Sequence, residues 1–521
     1  MPRPVFPAPH DSEVKAPDID FRLRAAARAA PGKLALSDSQ RSVTWGELDQ
    51  RVNRIARALI ARGVSPGDRV AVLGVNSVSY IEVMLATIRA GACTVPLSTY
   101  VTAKTRAIMV KDSGSRLLFV SALYEAETRA LAAEMGLADS RLLPLDDAFL
   151  DEFMVDESAT PPEVEAAPGL GFNLIYSSGT TGIPKGILQS RGYRAFESES
   201  VISRTGLDAQ TRAIVATPLC SNTTLFFLTA VLAIGGSTVL MEKFDAAGWL
   251  ALAERWRPTD IVLVPVQYRR LLDHPCFDRF DLASLRNKFC TSAPMSAQTK
   301  AEILARWPAG GFTELYGMTE GGVGTTLRAH EHPDKLDTVG VLNPGVQMCV
   351  IDEAGQVLPP GSVGELVGRS PSMMSGYYGR EEETAEASWF DAGGQRFQRS
   401  GDIGWFDAQG FLHLLDRKKD VIISGGFNVY AIDLENVLMQ HPDVVEVAVI
   451  AAPSREWGET PVAFAVLRND AAAEVVRQWA NERLGKTQRI ARVLAIDALP
   501  RSSIGKVLKR ELRERFKEAL S

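Results

Sequence analysis

Cysteine is scarce in this 521-residue chain and forms no pattern. The five thiols, Cys93, Cys220, Cys276, Cys290 and Cys349, are odd in number, scattered and never spaced C-x-x-C. That spacing excludes a disulfide framework and a thiolate zinc site, and reduced thiols in the cytoplasm are expected. Histidine is sparse as well. Of six, only His330 and His332 stand close together, and alternate residues on a loop are solvated more often than they hold a metal. Positive charge is not in excess: 57 Lys and Arg face 63 Asp and Glu, and the net charge of −6 argues against a nucleic-acid partner. The opening MPRPVFPAPHDSEVKAPD lacks the apolar core of a signal peptide. Long apolar runs are missing too. The charge-free stretch Thr224 to Met241 is broken by Gly235-Gly236, whereas a membrane helix needs about 20 apolar residues. It reads as a buried helix, a turn and a short strand. Repeats and low-complexity tracts are absent.

What is present is a globular composition, 46% hydrophobic and 23% charged, in a chain long enough for two or more structural units. Thr44 with Glu47 three residues on is a capping box, and apolar residues at Val52, Ile55, Ala56, Leu59 and Ile60 continue that helix. A turn at Gly63–Asp68, a strand at Arg69–Leu73, a helix at Tyr80–Arg89 and a strand at Cys93–Leu97 follow. Such alternation predicts an α/β fold with layered, mostly parallel sheets and helices on both faces. Between Thr338 and Tyr378 short strands broken by Gly and Pro predict a small antiparallel barrel or sheet. Past Asp416 the run Arg417-Lys-Lys-Asp420 reads as a linker. The expected division is therefore a large unit over 1–416 and a small α+β unit over 417–521.

The richest segment is Tyr176-Ser-Ser-Gly-Thr-Thr-Gly-Ile-Pro-Lys-Gly186. It follows the apolar run Phe172–Ile175 and gathers five hydroxyls, three glycines and one lysine. A strand emptying into such a loop offers backbone N–H groups, hydroxyl donors and a cation, the ingredients for holding a polyphosphate. It differs from the commoner G-x-x-x-x-G-K-[ST] loop, because Ile-Pro separates Gly182 from Lys185.

This loop resembles the signature of the acyl-adenylate-forming superfamily, which includes AMP-forming acyl-CoA synthetases. Five further motifs resemble that superfamily and come in its order: Thr291-Ser-Ala-Pro294, Leu315-Tyr-Gly-Met-Thr-Glu320, Ser400-Gly-Asp402, Asp416-Arg-Lys-Lys-Asp420 and Leu499-Pro-Arg-Ser-Ser-Ile-Gly-Lys506. The resemblance implies a nucleotide site built from Ser177, Ser178, Gly179, Thr180, Thr181, Gly182, Lys185, Ser292, Ala293, Pro294, Glu314, Leu315, Tyr316, Gly317, Met318, Thr319, Asp402, Arg417 and Lys506. Within it Tyr316 is expected to pack on adenine, Thr319 to touch the α-phosphate, and Asp402 to hold the ribose. Glu320 and Ser177 are expected to bind Mg²⁺. Thr181, Lys185, Glu320 and Lys506 are the expected catalytic residues. Lys419 matches the hinge about which the small unit turns, and Lys418 reads as a solvated charge.

The resemblance also implies a two-step ligase. A substrate carboxylate attacks the α-phosphorus of ATP to give acyl-AMP, and a thiol then displaces AMP. After the first step the small unit turns, withdrawing Lys506 and bringing in Ser424, Gly425 and Gly426, whose bare backbone lets the pantetheine arm of coenzyme A pass. Ser221, Asn222, Val266, Gly317 and Met318 are the expected acyl pocket. Gly317, where acetate-activating relatives carry Trp, implies an acid larger than propionate: medium or long aliphatic, cyclic or aryl. The Thr217–Thr223 region has no acid to hold an amino group, which argues against amino-acid substrates. Arg269 and Arg270 read as a solvated helix face. Loading of a carrier protein, or nucleotide binding without catalysis, are the alternatives. The absence of a fused carrier domain favours coenzyme A. The sequence leaves the oligomeric state open, a homodimer included.

Overall fold

The computed structural model describes residues 16–165, 167–177, 184–455, 457–468, 473–502 and 505–515. Local chemistry sets its first elements. Thr44 caps the helix Trp45–Ala61: its hydroxyl accepts from Glu47 N at 3.3 Å, and Glu47 Oε2 accepts from Thr44 N at 2.8 Å. Leu48, Val52, Ile55 and Leu59 form the buried stripe of that helix. Trp45, fully enclosed, donates its indole N–H to Gly236 O at 3.2 Å.

Among the described residues the strands form four sheets. In the first, Arg69–Leu73 lies between Cys93–Leu97 and Leu117–Val120, all parallel, as the alternating pattern predicts. Gly171–Ser177 joins beside Cys93–Leu97 and then pairs antiparallel with Lys185–Ser190. The second sheet has a parallel centre running through Ser237–Leu240, Arg212–Val215, Asp260–Leu263, Asn287–Cys290 and Gly311–Gly317. Its far edge turns antiparallel at Gly324–Arg328. One hydrophobic core serves both sheets, with Val72, Phe119 and Phe172 from the first meeting Leu36, Val215 and Leu240 from the second.

Two helices fill that shared core; Asn222–Ala233 carries no charge, and the two charges of Val78–Arg89, Glu82 and Arg89, are buried in ion pairs with Arg41 and Arg51 and with Asp20 and Asp49. Val78–Arg89 is buried along its whole length, and Asn222–Ala233 is buried from Thr223 onward. The latter is the helical part of the charge-free stretch; a turn with Gly235 at φ +71° and the strand Ser237–Leu240 complete it. No helix among the described residues is long and apolar enough to cross a membrane.

The third sheet corrects one expectation. It begins at Gln347–Ile351 and Gly364–Arg369 but continues through Ser388–Phe390, Arg396–Phe406 and Leu412–Arg417, well past Tyr378. Gly376–Tyr377 leaves it altogether and pairs with Leu188 and Ile187 of the first sheet. Period-2 patterning shows that strands exist, not which sheet each joins.

The fourth sheet belongs to the C-terminal region. Val444–Ser454 and Gly458–Leu467 form its long hairpin, with Ile422–Ser424 and the parallel Arg492–Ala495 alongside. The helix Ala431–Leu438 covers it. The charged run forms a short 3-10 turn, Lys418–Asp420. Lys418 is not merely solvated, since its Nζ bonds Glu365 Oε2 at 2.9 Å.

Candidate active site

The signature loop spans a hairpin. Gly171–Ser177 leads in and Lys185–Ser190 leads out, with Tyr176 opposite Gly186 and Ser177 opposite Lys185. Ser178, Gly179, Thr180, Thr181 and Gly182 lie outside the described residues. Tyr176 does not add its hydroxyl to a phosphate cradle, because that group donates to Asp112 Oδ2 at 2.8 Å. Lys185 places its ammonium 5.2 Å from the centre of the Tyr377 ring, a cation–π contact. The Tyr377 phenol donates to Glu320 Oε1 at 2.9 Å. One tyrosine thus links the lysine after the loop to the carboxylate expected to meet the metal.

Glu320 follows the strand Gly311–Gly317, and the peptide carrying it is clamped from two sides. Thr319 O accepts from Gln189 Nε2 at 2.7 Å and from the Tyr193 hydroxyl at 3.4 Å, while Glu320 O accepts from Met374 N at 2.7 Å. The next residue, Gly321, has φ +72°, and a Cβ there would fall 1.9 Å from Ser372 O. Only glycine fits that approach.

Tyr316 ends the same strand and reaches across to the third sheet. Its hydroxyl donates to Asp402 Oδ2 at 2.7 Å, and Arg417 Nε meets Asp402 Oδ1 at 2.7 Å. Asp402 and Arg417 are register partners on neighbouring strands, which explains their meeting from fifteen residues apart. Asp402 N is fixed by Ser400 Oγ at 3.0 Å. Burial and the adjacent carboxylate push the Tyr316 phenol well above its ordinary value.

Lys506 arrives at this group from the C-terminal region. Burial, then Arg417, pull its ammonium from 10.5 down to about 8, with Asp402 opposing. A tight turn presents it: Ser502 N bonds Lys506 O at 2.8 Å, and Arg501 Nη1 bonds Gly505 O at 2.6 Å. Gly505 lies against Val266 and Val264, where a Cβ would fall 2.6 Å from Val266 Cγ1. The expected pocket residue Val266 is therefore also the floor on which the Lys506 turn rests.

Other expected residues sit less directly. The Glu314 side chain is buried, paired with the buried Lys300 ammonium and accepting from Met295 N at 3.1 Å. Ser292 holds φ +83°, unusual for a residue with a side chain, and hydrogen-bonds the Thr223 hydroxyl. Ala293 is half-buried and Pro294 exposed beside it. The Ser221 hydroxyl caps Asn222–Ala233 by accepting from Thr223 N at 3.2 Å. Gly317 is exposed, and a Cβ there would meet only Val323 O at 3.5 Å, so the position has room. Leu315 and Met318 are half-buried around it. Lys419 stands on the 3-10 turn near Asp420 and Arg417. Arg269 is not a free solvated cation: it forms a two-pronged pair with Glu302 at 2.6 and 3.0 Å and contacts Asp273. Ser424, Gly425 and Gly426 form the turn of a separate hairpin, with Ser424 buried and both glycines exposed.

The described residues so bring together Lys506, Arg417, Asp402 and Tyr316, and separately Glu320 and Lys185. Sequence reasoning missed Gln189, Tyr193 and Met374, which clamp the peptides around Glu320, and Tyr377, which holds its carboxylate. Gly376-Tyr-Tyr378 was the one local signal, since a glycine-flanked aromatic pair is a poor loop and a plausible short strand.

Tyr316, Asp402, Arg417 and Lys506, gathered where two α/β sheets meet a small β sheet, are the arrangement expected of an adenylate-forming enzyme. Residues 23–378 match the AMP-binding enzyme family, and residues 433–506 match the AMP-binding enzyme C-terminal domain. The chain belongs to this family, and it is an AMP-forming acyl-CoA ligase. It is 35% identical over 497 residues to a feruloyl-CoA synthase from an Amycolatopsis species, covering 94% of this chain and 97% of that one. A fatty acid–[acyl-carrier-protein] ligase, ScoC, from Streptomyces coeruleorubidus is 33% identical over 497 residues, covering 91% and 92%. Among solved structures, ATP-bound MatB from Rhodopseudomonas palustris superposes with a TM-score of 0.88 at 30% identity, covering 97% of this chain and 99% of that one. Apo MatB superposes over the same span with a TM-score of 0.76.

Proposed function

We propose that this ligase activates an aryl acid of the hydroxycinnamate type, with coenzyme A as acceptor, and that the arrangement described is the one that makes acyl-AMP. The observation that carries the second part is Lys506, half-buried on a turn whose Gly505 packs on Val266, within electrostatic reach of the Asp402–Arg417 pair. The size of the acid is supported by the room at Gly317, and its class by the likeness to feruloyl-CoA synthase.

In this reading the acid's carboxylate attacks the α-phosphorus, the bond to pyrophosphate breaks, and Lys506 faces the charge that builds between carboxylate and phosphate. Moving lysine from 10.5 to about 8 corresponds to roughly 3 kcal/mol, the cost of holding its cation there without an anion. The incoming phosphate and carboxylate remove that cost. Asp402 and Arg417 hold the ribose side, and Lys185 with Thr181 holds the departing phosphates. Glu320 has one oxygen held by Tyr377 and no ion-pair partner among the described residues, a hard oxygen donor that fits Mg²⁺. Together with Ser177 it would hold that ion, which neutralises charge on the pyrophosphate.

The small unit, 417–521 with its hinge at Lys419, then turns to bring the Ser424–Gly426 turn to the acyl-AMP. A panel of acids graded in chain length and ring type, followed by AMP release with either coenzyme A or a holo carrier protein, tests the proposal. Ferulate-like acids with coenzyme A should give the highest kcat/KM. A preference for aliphatic acids, or turnover only with the carrier protein, overturns the corresponding half.

A further inference from the structure

The buried polar groups behind the phosphate hairpin converge on a side chain that the reaction above leaves without a role. Arg194, on the helix Arg191–Thr205, has a side chain with no solvent exposure. Its Nη2 donates to Asn173 Oδ1 and Asn222 Oδ1, both at 2.9 Å, and to Gln189 Oε1. Its Nη1 donates to Glu197, the one carboxylate in the cluster. A guanidinium is expensive to take out of water and persists in a core only where acceptors surround it.

Each acceptor belongs to a different part of the site. Asn173 lies on the strand entering the phosphate loop and Gln189 on the strand leaving it. The two are register partners, with Asn173 Nδ2 donating to Gln189 Oε1 at 2.7 Å. Gln189 uses its own Nε2 on Thr319 O at 2.7 Å, one residue before Glu320. Asn222 begins the helix capped by Ser221, on the acyl side. The guanidinium plane is rigid, so its donors cannot follow one acceptor without changing the angle to the others.

We infer that Arg194 is a positioning residue that couples the acyl end of the site, through Asn222, to the nucleotide end, through Gln189, Thr319 and the phosphate hairpin. This rests on the reading of the pocket as one that holds acid and ATP together. A guanidinium serving packing alone would leave the two ends energetically independent, whereas members of one hydrogen-bond network are non-additive.

A double-mutant cycle on the full-length enzyme tests it, with affinity for α,β-methylene-ATP read by calorimetry and folding by thermal melting. Asn222→Ala removes a side chain placed on the acyl side, whose Oδ1 accepts from Arg194 at 2.9 Å and only distantly from Gln189 Nε2 at 3.4 Å, yet it should weaken nucleotide binding about fivefold or more. In the Arg194→Met background the same change should have less than about a twofold effect. Should Arg194→Met fail to melt cooperatively, Arg194→Lys replaces it in the cycle, because it keeps a cation beside Glu197 but loses the planar fork that reaches Asn222 and Gln189 together. An Asn222→Ala enzyme with unaltered nucleotide affinity overturns the inference, and so does an undiminished effect in both backgrounds. A wild-type enzyme that binds no α,β-methylene-ATP points instead to failure of the functional reading itself.

Discussion

Lys506 sits where a cation is disfavoured until an anion joins it, and that makes its proton a reporter. Burial of the amine, then Arg417 nearby, lowers it from 10.5 to about 8 without a ligand, so the docked empty enzyme binds fewer protons than an undocked one. Docking of the ligand-free enzyme therefore becomes easier as pH rises from about 8 toward 10.5 and is opposed below that window. Under the proposal that adenylation uses the Lys506 cation, kcat/KM for pyrophosphate exchange should fall as pH rises past about 8, the free-enzyme value. A flat profile to pH 9.5 or so would contradict the assignment. Lys506→Ala should cut exchange by about a hundredfold or more while leaving thioester formation from supplied acyl-AMP within a few-fold. Equal loss in both half-reactions would remove Lys506 from the first step.

At the scale of elements, the turn before Lys506 is the most constrained. Gly505 holds φ +74°, and a Cβ there would strike Val266 Cγ1 at 2.6 Å. Left-handed backbone costs an L-residue roughly 1–2 kcal/mol before that contact is counted. Gly505→Ala should thus slow adenylation by about tenfold or more and spare the thioester step, measured side by side in the two half-reactions. Elements with their own chemistry were legible in the sequence: the Thr44 box, the strands Arg69–Leu73 and Cys93–Leu97, and the helix, turn and strand of 222–240. Short motifs likewise pointed to Asp402, Arg417 and Lys506, which do converge. Illegible were partners set by sheet assignment alone. Tyr377 joins the first sheet rather than the third, Tyr176 spends its hydroxyl on Asp112, and Glu314 turns to Lys300. Nothing within ten residues of any of these announces its partner.

The whole molecule presents one arrangement in which Tyr316, Asp402, Arg417 and Lys506 gather in one place while the turn proposed for coenzyme A is exposed at both its glycines. On that hairpin Ile423 and Phe427 are 55% and 63% exposed, an apolar pair left uncovered. If the small unit turns after adenylation, this face becomes the one that meets the acyl-AMP pocket. Phe427→Glu should then leave pyrophosphate exchange within about twofold and lower thioester formation by about tenfold or more, read by product chromatography. Loss of exchange instead would show that the hairpin already serves the first step.

The pairing of Gly376–Tyr377 with Leu188 and Ile187 is only two residues long, yet it aims the phenol that holds Glu320. Side chains on a strand alternate faces, so a shift of one residue would send that phenol to the opposite side. Inserting or deleting a single residue between Ser375 and Arg380 would thus act like removal of Tyr377, although surface connections usually absorb length changes. Chimeras of this enzyme with its relatives should keep their crossover points outside this segment.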